Sequence, residues 1–116
     1  MKPQTPYYAV VFTSRRSSLE EEPYAAMASE MMKLAGKQPG FLGIDHARDE
    51  IGITVSYWES LQSIADWKIH ARHQFAQQKG REAWYESYTI RICRVEREYS
   101  FDRMIQENTE NSSGRS

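Results

Sequence analysis

The chain of 116 residues lacks the features that define several classes of protein. Its single cysteine, Cys93, cannot form an internal disulfide or a cysteine-based zinc cluster, and we expect it to be a small buried hydrophobic residue. The longest apolar run, Tyr7–Phe12, is far shorter than the ~20 residues that a membrane-spanning helix needs. The first six residues lack the apolar region of a signal peptide. We therefore expect a cytoplasmic protein with no membrane partner.

The chain also lacks a strong net charge and several common functional motifs. Lys and Arg total 15 against 16 Asp and Glu, so a net charge of −1 gives no general attraction to nucleic acid. The strand Ile51–Ser56 also lacks the basic aromatic pattern of an RNA-binding sheet. There is no Gly-rich phosphate loop, no Gly-x-Ser-x-Gly elbow and no His-Glu-x-x-His helix. These absences exclude the common nucleotide, hydrolase and zinc-protease signatures and leave no nucleic-acid partner expected.

What the chain does have is enough apolar material for one core. Forty per cent of the residues are hydrophobic and 12% are aromatic. We divide the chain into an N-terminal extension at 1–6, one domain at 7–103 and a polar tail at 104–116, which contains too little apolar surface to offset the entropy of ordering it.

Hydrophobic spacing predicts four strands and two helices. Strict alternation over 51–57 is the clearest strand pattern, and Gln38–Gly40 is a typical end to a helix. The predicted elements are strands at 7–13, 41–47, 51–57 and 88–99, a helix over 24–37, and a helix from Ser60 to about Gly80 with a break near Ala71 and a turn at 83–86 after it. This β-α-β-β-α-β order predicts an α+β, ferredoxin-like fold with a four-stranded antiparallel sheet.

The last strand predicts a homodimer. Ile90 and Ile92 lie on one face of it, while Cys93 and Val95 lie on the other, so both faces are apolar. Helices cover one face of such a sheet, and a second copy of the chain would cover the other. We therefore expect two chains to pair their sheets into an α+β barrel.

Three motifs add a family resemblance. They are Gln38–Gly43, Tyr57–Leu61 and the helical pattern Trp67-Lys68-x-His70-x-x-His73. Together they resemble the antibiotic biosynthesis monooxygenase family of dimeric α+β barrels, over about 7–99. The resemblance implies a pocket between each sheet and its helices, in which some members oxygenate polycyclic phenols without metal or flavin and others bind haem and open its ring.

This sequence matches the haem-degrading members at one of their three characteristic residues. They use an Asn near the end of the first strand, a Trp on the second helix and a His about three turns later. Trp67 matches the tryptophan, whereas Val11–Ser14 contains no Asn and Gln77 stands ten residues after Trp67. The resemblance therefore implies a monooxygenase without a cofactor, with haem binding or degradation as the alternative. A non-catalytic ligand-binding or stress-related barrel is a further alternative.

The candidate catalytic residues lie on the second helix. A neutral imidazole, with an ordinary pKa of ~6.5, can accept the phenolic proton that must leave before O₂ reacts. We favour His70, one turn from Trp67, over His73. The resemblance makes Trp67 a third candidate catalytic residue. The residues expected to bind a small aromatic ligand are Met27, Met31, Trp58 and Phe75.

A metal site is not expected on this helix. Asp66, His70 and His73 share one helix face, but three ligands along it spread over ~10 Å instead of converging on one ion. We interpret this face as solvated.

Overall fold

The computed structural model describes residues 4–16, 21–78 and 85–103, except for the side chains of 21–24 and 74–78. The elements occur in the predicted β-α-β-β-α-β order. They are β1 (Tyr7–Arg16), α1 (Glu21–Gly36), β2 (Phe41–Arg48), β3 (Ile51–Trp58), α2 (Leu61–Gln78) and β4 (Tyr85–Val95). None of the described helices is both long enough and apolar enough to cross a membrane.

The four strands form one antiparallel sheet in the order β2-β3-β1-β4. β1 is central: Tyr8 lies opposite Trp58 on β3 and opposite Arg94 on β4. Phe41 on β2 also lies opposite Trp58, so these side chains share one face of the sheet. This confirms the predicted fold class.

The ends of β4 differ from the prediction. The strand runs from Tyr85 to Val95 instead of 88 to 99. It ends at Val95 because the partner of Val95, Tyr7, is the first residue of β1, directly after Pro6, which has no N–H to donate. It begins early because a register shift between Arg15 and Arg16 extends the pairing to Tyr85.

The second helix also differs, since α2 runs through Ala71 without a break. Its sequence contains no Gly or Pro that would interrupt the helical hydrogen bonds. The predicted turn at 83–86 lies partly outside the described residues, and its last two residues belong to β4.

The core lies between the helices and one half of the sheet. Trp58 is fully buried against Ala35 of α1 and Ile64 of α2. Tyr8, Val10, Phe41 and Trp67 pack around them. We call this face of the sheet the helix-side face and the opposite one the helix-free face. Because α1 packs on β2 and α2 packs on β3, the β1–β4 half of the helix-side face is less covered.

The connection between α1 and β2 depends on Gly40. Its φ of 87° lies in the left-handed region, which favours glycine. The carbonyl oxygen of Gly40 accepts a hydrogen bond of 2.8 Å from the backbone N–H of Glu59. The N-terminus of α2 is capped nearby by Ser60, whose Oγ accepts from the N–H of Ser63 at 3.0 Å. The turn therefore fixes where β2 begins relative to α2.

Candidate functional site

The predicted ligand-binding residues lie in or beside the core. Trp58 is completely buried, its Nε1 donates a 2.9 Å hydrogen bond to Ser56 Oγ, and Met27 is 3% exposed. Met31 is half-buried. Phe75 belongs to α2, but its side chain lies outside the described residues. In the single chain, Trp58 and Met27 are therefore buried beneath the surface. Their contact with a ligand stays a prediction.

Trp67 is held by stacking. Its ring lies 5.9 Å from that of Trp58, with an interplanar angle of 22°, and it is half-buried. Phe41 contacts the same Trp58 ring edge-to-face at 5.4 Å. Aromatic pairs at such distances contribute ~0.5–1.5 kcal/mol beyond burial of their area. Trp67 is thus a rigid wall of the helix layer, with part of its surface open to solvent.

An apolar surface lies open on the helix-side face of β4. We call Tyr88, Ile90 and Ile92 the β4 strip; they are 37%, 53% and 53% exposed. They lie on this face because Ile92 pairs with Val10, which packs against the core. The strip therefore continues the core outward as an exposed apolar surface.

Three aromatic rings stand at one end of the strip. Phe12, Tyr85 and Tyr88 contact one another with centroid distances of 5.3–5.6 Å, and we call them the aromatic triangle. Tyr85 and Tyr88 are three residues apart, and the register shift at Arg15 and Arg16 lets both contact Phe12. The triangle offers ring faces and edges that suit a flat, apolar ligand.

A guanidinium group is hydrogen-bonded to Ser14, the β1 residue that pairs with Tyr88. Arg48 Nη2 donates a 2.8 Å hydrogen bond to Ser14 Oγ, and Ser14 is 3% exposed. The guanidinium crosses over Gly52, where a Cβ would overlap Nη2 and Cζ. Ser14 in turn pairs with Tyr88 of the triangle. The residues at this end of the helix-side face thus combine aromatic rings with a positive charge.

The two candidate catalytic histidines are exposed on α2. Ile64, Trp67 and Ala71 form the covered stripe of this helix. At about 100° per residue, His70 lies about 90° from the centre of that stripe and His73 about 150° from it. His70 therefore borders the covered side of α2, whereas His73 faces away from it.

Metal and haem ligands receive little support from the geometry. No group of three or more His, Cys, Asp or Glu side chains that could hold a metal ion occurs in the described ranges 4–16, 21–78 and 85–103. Asp66 accepts a 3.0 Å hydrogen bond from Gln62 Nε2. All three histidines, His46, His70 and His73, are exposed, so none of them offers an enclosed axial ligand to haem in the single chain.

The helix-free face carries a polar pocket of about 330 Å³. Tyr7 donates a 2.6 Å hydrogen bond to Glu98, which raises the pKa of Tyr7 to about 12, with burial adding to the effect. Burial, followed by a 2.9 Å hydrogen bond to Asp45, raises the pKa of Tyr57. Leu42 completes the lining. Both phenols thus stay protonated at neutral pH and act as hydrogen-bond donors.

The helix-free face also carries apolar side chains. By register, Val11, Val55 and Cys93 lie on it, and Ile53 is 44% exposed there. The expectation of a buried Cys93 is wrong for the single chain, in which this residue is exposed. The reason is that the described parts of α1 and α2 pack on the opposite face, around Trp58.

Two curated proteins are similar in sequence. The uncharacterized protein YqjZ of Bacillus subtilis is 48% identical over 109 residues, which cover 92% of this chain and 91% of YqjZ. The jasmonate monooxygenase ABM of Pyricularia oryzae is 27% identical over 92 residues, which cover 76% of this chain. The match spans 43% of the length of that fungal protein. No family model matches the chain.

Solved structures share the fold at low sequence identity. One from Caulobacter crescentus, named "Putative antibiotic biosynthesis monooxygenase", has a TM-score of 0.65 at 12% identity, covering 80% of this chain and 92% of its own. SnoaB, a cofactor-independent oxygenase from Streptomyces nogalater, has a TM-score of 0.60 at 10% identity, covering 76% and 91% respectively. The β-α-β-β-α-β architecture is thus that of the antibiotic biosynthesis monooxygenases.

Sequence reasoning missed Arg48, Ser14 and the aromatic triangle. Their proximity depends on cross-strand pairing between segments far apart in the chain. One local signal existed: Gly52 is a glycine at an alternate position of a strong strand, which often marks a close approach by another group. Here that group is the guanidinium of Arg48.

Proposed function

Because the chain belongs to the family of YqjZ and has the fold of the antibiotic biosynthesis monooxygenases, we propose that it is a cofactor-independent monooxygenase acting on an aromatic or quinone-like small molecule. The cofactor-independent oxygenase SnoaB, which shares the fold, supports this choice over a haem enzyme. So does the exposure of every histidine in the chain.

The observation that carries the proposal is the open apolar surface of the helix-side face. The β4 strip and the aromatic triangle continue the core outward beside the helix layer. A flat ligand lying there would bury both its own apolar area and that of Ile90 and Ile92, at ~25 cal/mol per Å². Small-molecule sites are lined mostly by apolar and aromatic side chains with a few polar groups, as this surface is.

The proposed reaction needs a base and an apolar environment. His70, at the border of the covered side of α2, accepts the phenolic proton of the substrate, and the electron-rich anion then reacts with O₂. One oxygen atom becomes a carbonyl of the product and the other leaves as water, with all four electrons supplied by the substrate. Exclusion of water by the apolar surface limits side reactions of the intermediate.

A homodimer is part of the proposal. Packing two helix-free faces together would cover Val11, Ile53 and Val55 and close the sheets into a barrel. The exposure of Ile53 at 44% and of Cys93 in the single chain supports this arrangement. Sedimentation velocity of the purified chain at micromolar concentration measures it directly, and a monomer would contradict it.

Oxygen uptake with paired histidine variants tests the activity. We expect the purified chain to consume O₂ with an anthrone or a polycyclic phenol, and ¹⁸O₂ to label the product carbonyl. His70→Ala should lower kcat about 10²-fold or more, the usual contribution of a general base, while leaving ligand binding nearly unchanged. His73→Ala, an exposed histidine one turn later that faces away, is the matched control and should retain activity.

Two outcomes would count against this function. Equal activity of both variants would remove His70 from the mechanism. Binding of the aromatic compounds with no oxygen uptake would instead assign the chain to the non-catalytic ligand-binding class.

A further inference from the structure

One row of side chains on the helix-free face carries opposite charges at its two ends. Asp45 on β2 lies opposite Val55 on β3, which lies opposite Val11 on β1. Val11 in turn lies opposite Arg91 on β4. Because paired residues share a face, the row runs acid, valine, valine, base across the whole sheet. Neighbouring strands are ~4.8 Å apart, so the two charged residues start about 14 Å from each other.

Both charged groups are open to a partner. Asp45 and Arg91 are exposed, whereas the two valines between them are half-buried. Within the ranges that the structure describes, neither charged group forms a salt bridge. Asp45 Oδ2 accepts the 2.9 Å hydrogen bond from Tyr57, which holds the carboxylate in place without neutralising its charge. The row therefore presents one free negative and one free positive charge to whatever covers this face.

The pocket of about 330 Å³ beside Asp45 lacks positive charge. The described residues that line it include the carboxylates of Asp45 and Glu98 but no Lys, Arg or His. The two phenols of the lining, Tyr7 and Tyr57, donate their protons to these carboxylates and are themselves uncharged. A cationic group supplied from outside the chain would therefore be attracted to this end of β2.

Two copies of this face can pack with aligned strands in two ways. In both, a twofold axis lies between the sheets. An axis parallel to the strands reverses the row, so that Asp45 lies over the partner's Arg91 and valines lie over valines. An axis across the strands instead places Asp45 over the partner's Asp45, and Arg91 over the partner's Arg91. Like charges placed together oppose association, so the charges of this row favour the first arrangement.

We propose that the twofold axis of the homodimer runs parallel to the strands, and that Asp45 of each chain forms an ion pair with the partner's Arg91. The dimer then contains two equivalent ion pairs, one on each side of a central valine layer. In the next row Tyr57 lies opposite Ala9, and the same axis places Tyr57 over the partner's Ala9, a large side chain over a small one. This inference rests on the homodimer of the proposed function and adds its orientation.

Charge reversal tests the ion pair. Asp45→Arg or Arg91→Asp places like charges together at both contacts, so each should raise the dimer Kd at least about tenfold in sedimentation velocity. The double variant Asp45→Arg/Arg91→Asp exchanges the two charges and should return Kd to within about fivefold of wild type. Asp66→Arg, on the exposed surface of α2, is the matched control and should leave Kd unchanged.

Cross-linking tests the orientation. Packed sheets lie ~10 Å apart, which the short cross-linker bismaleimidoethane can span. The native thiol is first removed by Cys93→Ser, since Cys93 is the single cysteine of the chain. In that background Asp45→Cys/Arg91→Cys should give a covalent dimer, whereas Asp45→Cys alone should not, because its two thiols would lie at opposite edges of the interface, more than about 14 Å apart.

The outcomes separate this inference from the homodimer itself. A dimer that neither charge reversal weakens, or that the double variant does not restore, would refute the ion pair and leave the homodimer standing. Cross-linking of Asp45→Cys alone would refute the orientation, because it places the axis across the strands. A monomeric wild-type chain would refute the homodimer and this inference together.

Discussion

Substitution of Gly40 by alanine should destabilise the chain more than the same change at Gly36, the other glycine outside the sheet among the described residues. The φ of Gly40 is 87°, which side chains other than glycine rarely adopt. A Cβ at this position would also overlap Ser63 Oγ and lie 2.8 Å from Ser63 Cβ. The substitution therefore combines backbone strain with a steric clash at the N-terminus of α2.

The magnitude follows from two costs and one gain. The left-handed conformation costs a Cβ-bearing residue ~1–2 kcal/mol. Overpacking against Ser63 costs ~1–3 kcal/mol, because Ser63 is held by the Ser60 cap. The reduced entropy of the unfolded chain returns ~0.4–1 kcal/mol. The free energy of unfolding of Gly40→Ala should thus fall by about 1–4.5 kcal/mol.

Urea denaturation followed by circular dichroism measures this change. Gly36→Ala is the matched control, since a Cβ at Gly36 meets nothing within 4 Å, and its free energy of unfolding should stay within ~1 kcal/mol of wild type. In a double-mutant cycle with Ser63→Gly, the steric part should appear as a favourable coupling of about 1–3 kcal/mol, while the backbone part remains. A Gly40→Ala chain as stable as wild type would refute the reasoning.

Two further predictions concern the helix-free face. Val55→Asp should convert the proposed dimer to a monomer in sedimentation velocity, because it would bury a charge in the interface. Ile69→Asp, at a 68% exposed position on α2, is the control and should leave the dimer intact. An equally stable dimer in both variants would argue against this interface. Because the hydrogen bond to Glu98 raises the pKa of Tyr7 to about 12, the folded chain keeps a proton that the unfolded chain loses above pH 10. The free energy of unfolding should therefore fall as pH rises from 10 to 12. Tyr7→Phe should lessen that fall, whereas the control Tyr99→Phe should not. Identical pH profiles of stability in wild type and Tyr7→Phe would contradict the Tyr7–Glu98 contact.

Local sequence patterns were enough to predict most of the fold. Alternation over Ile51–Trp58 and the helix-ending Gln38–Gly40 act within a few residues, so each predicts its own element. The ends of β4 were wrong because they depend on the partner strand: on where β1 begins after Pro6 and on the register shift at Arg15 and Arg16. Such non-local pairing leaves no signal in the β4 sequence itself.

Only those residues of the candidate site that lie on α2 could be predicted from the sequence. His70 and Trp67 stand one turn apart on α2, so their common helix suggested a common site. Arg48 stands in an exposed hairpin whose sequence reads as an ordinary turn, and its position depends on Gly52 and Ser14 from two other strands. A site assembled across a sheet is visible only once the register is known.

The central position of β1 has a consequence for biosynthesis. Tyr7 pairs with Val95, so one edge of β1 finds its partner only after the two helices and the other two strands have been made. Until then the nascent β1 exposes a row of unpaired backbone groups, which is where non-native pairing with other chains begins. Closing so long a loop is also slow, because the entropy of closure precedes the gain from pairing. β1 is therefore the segment that a chaperone would need to protect until β4 has been made.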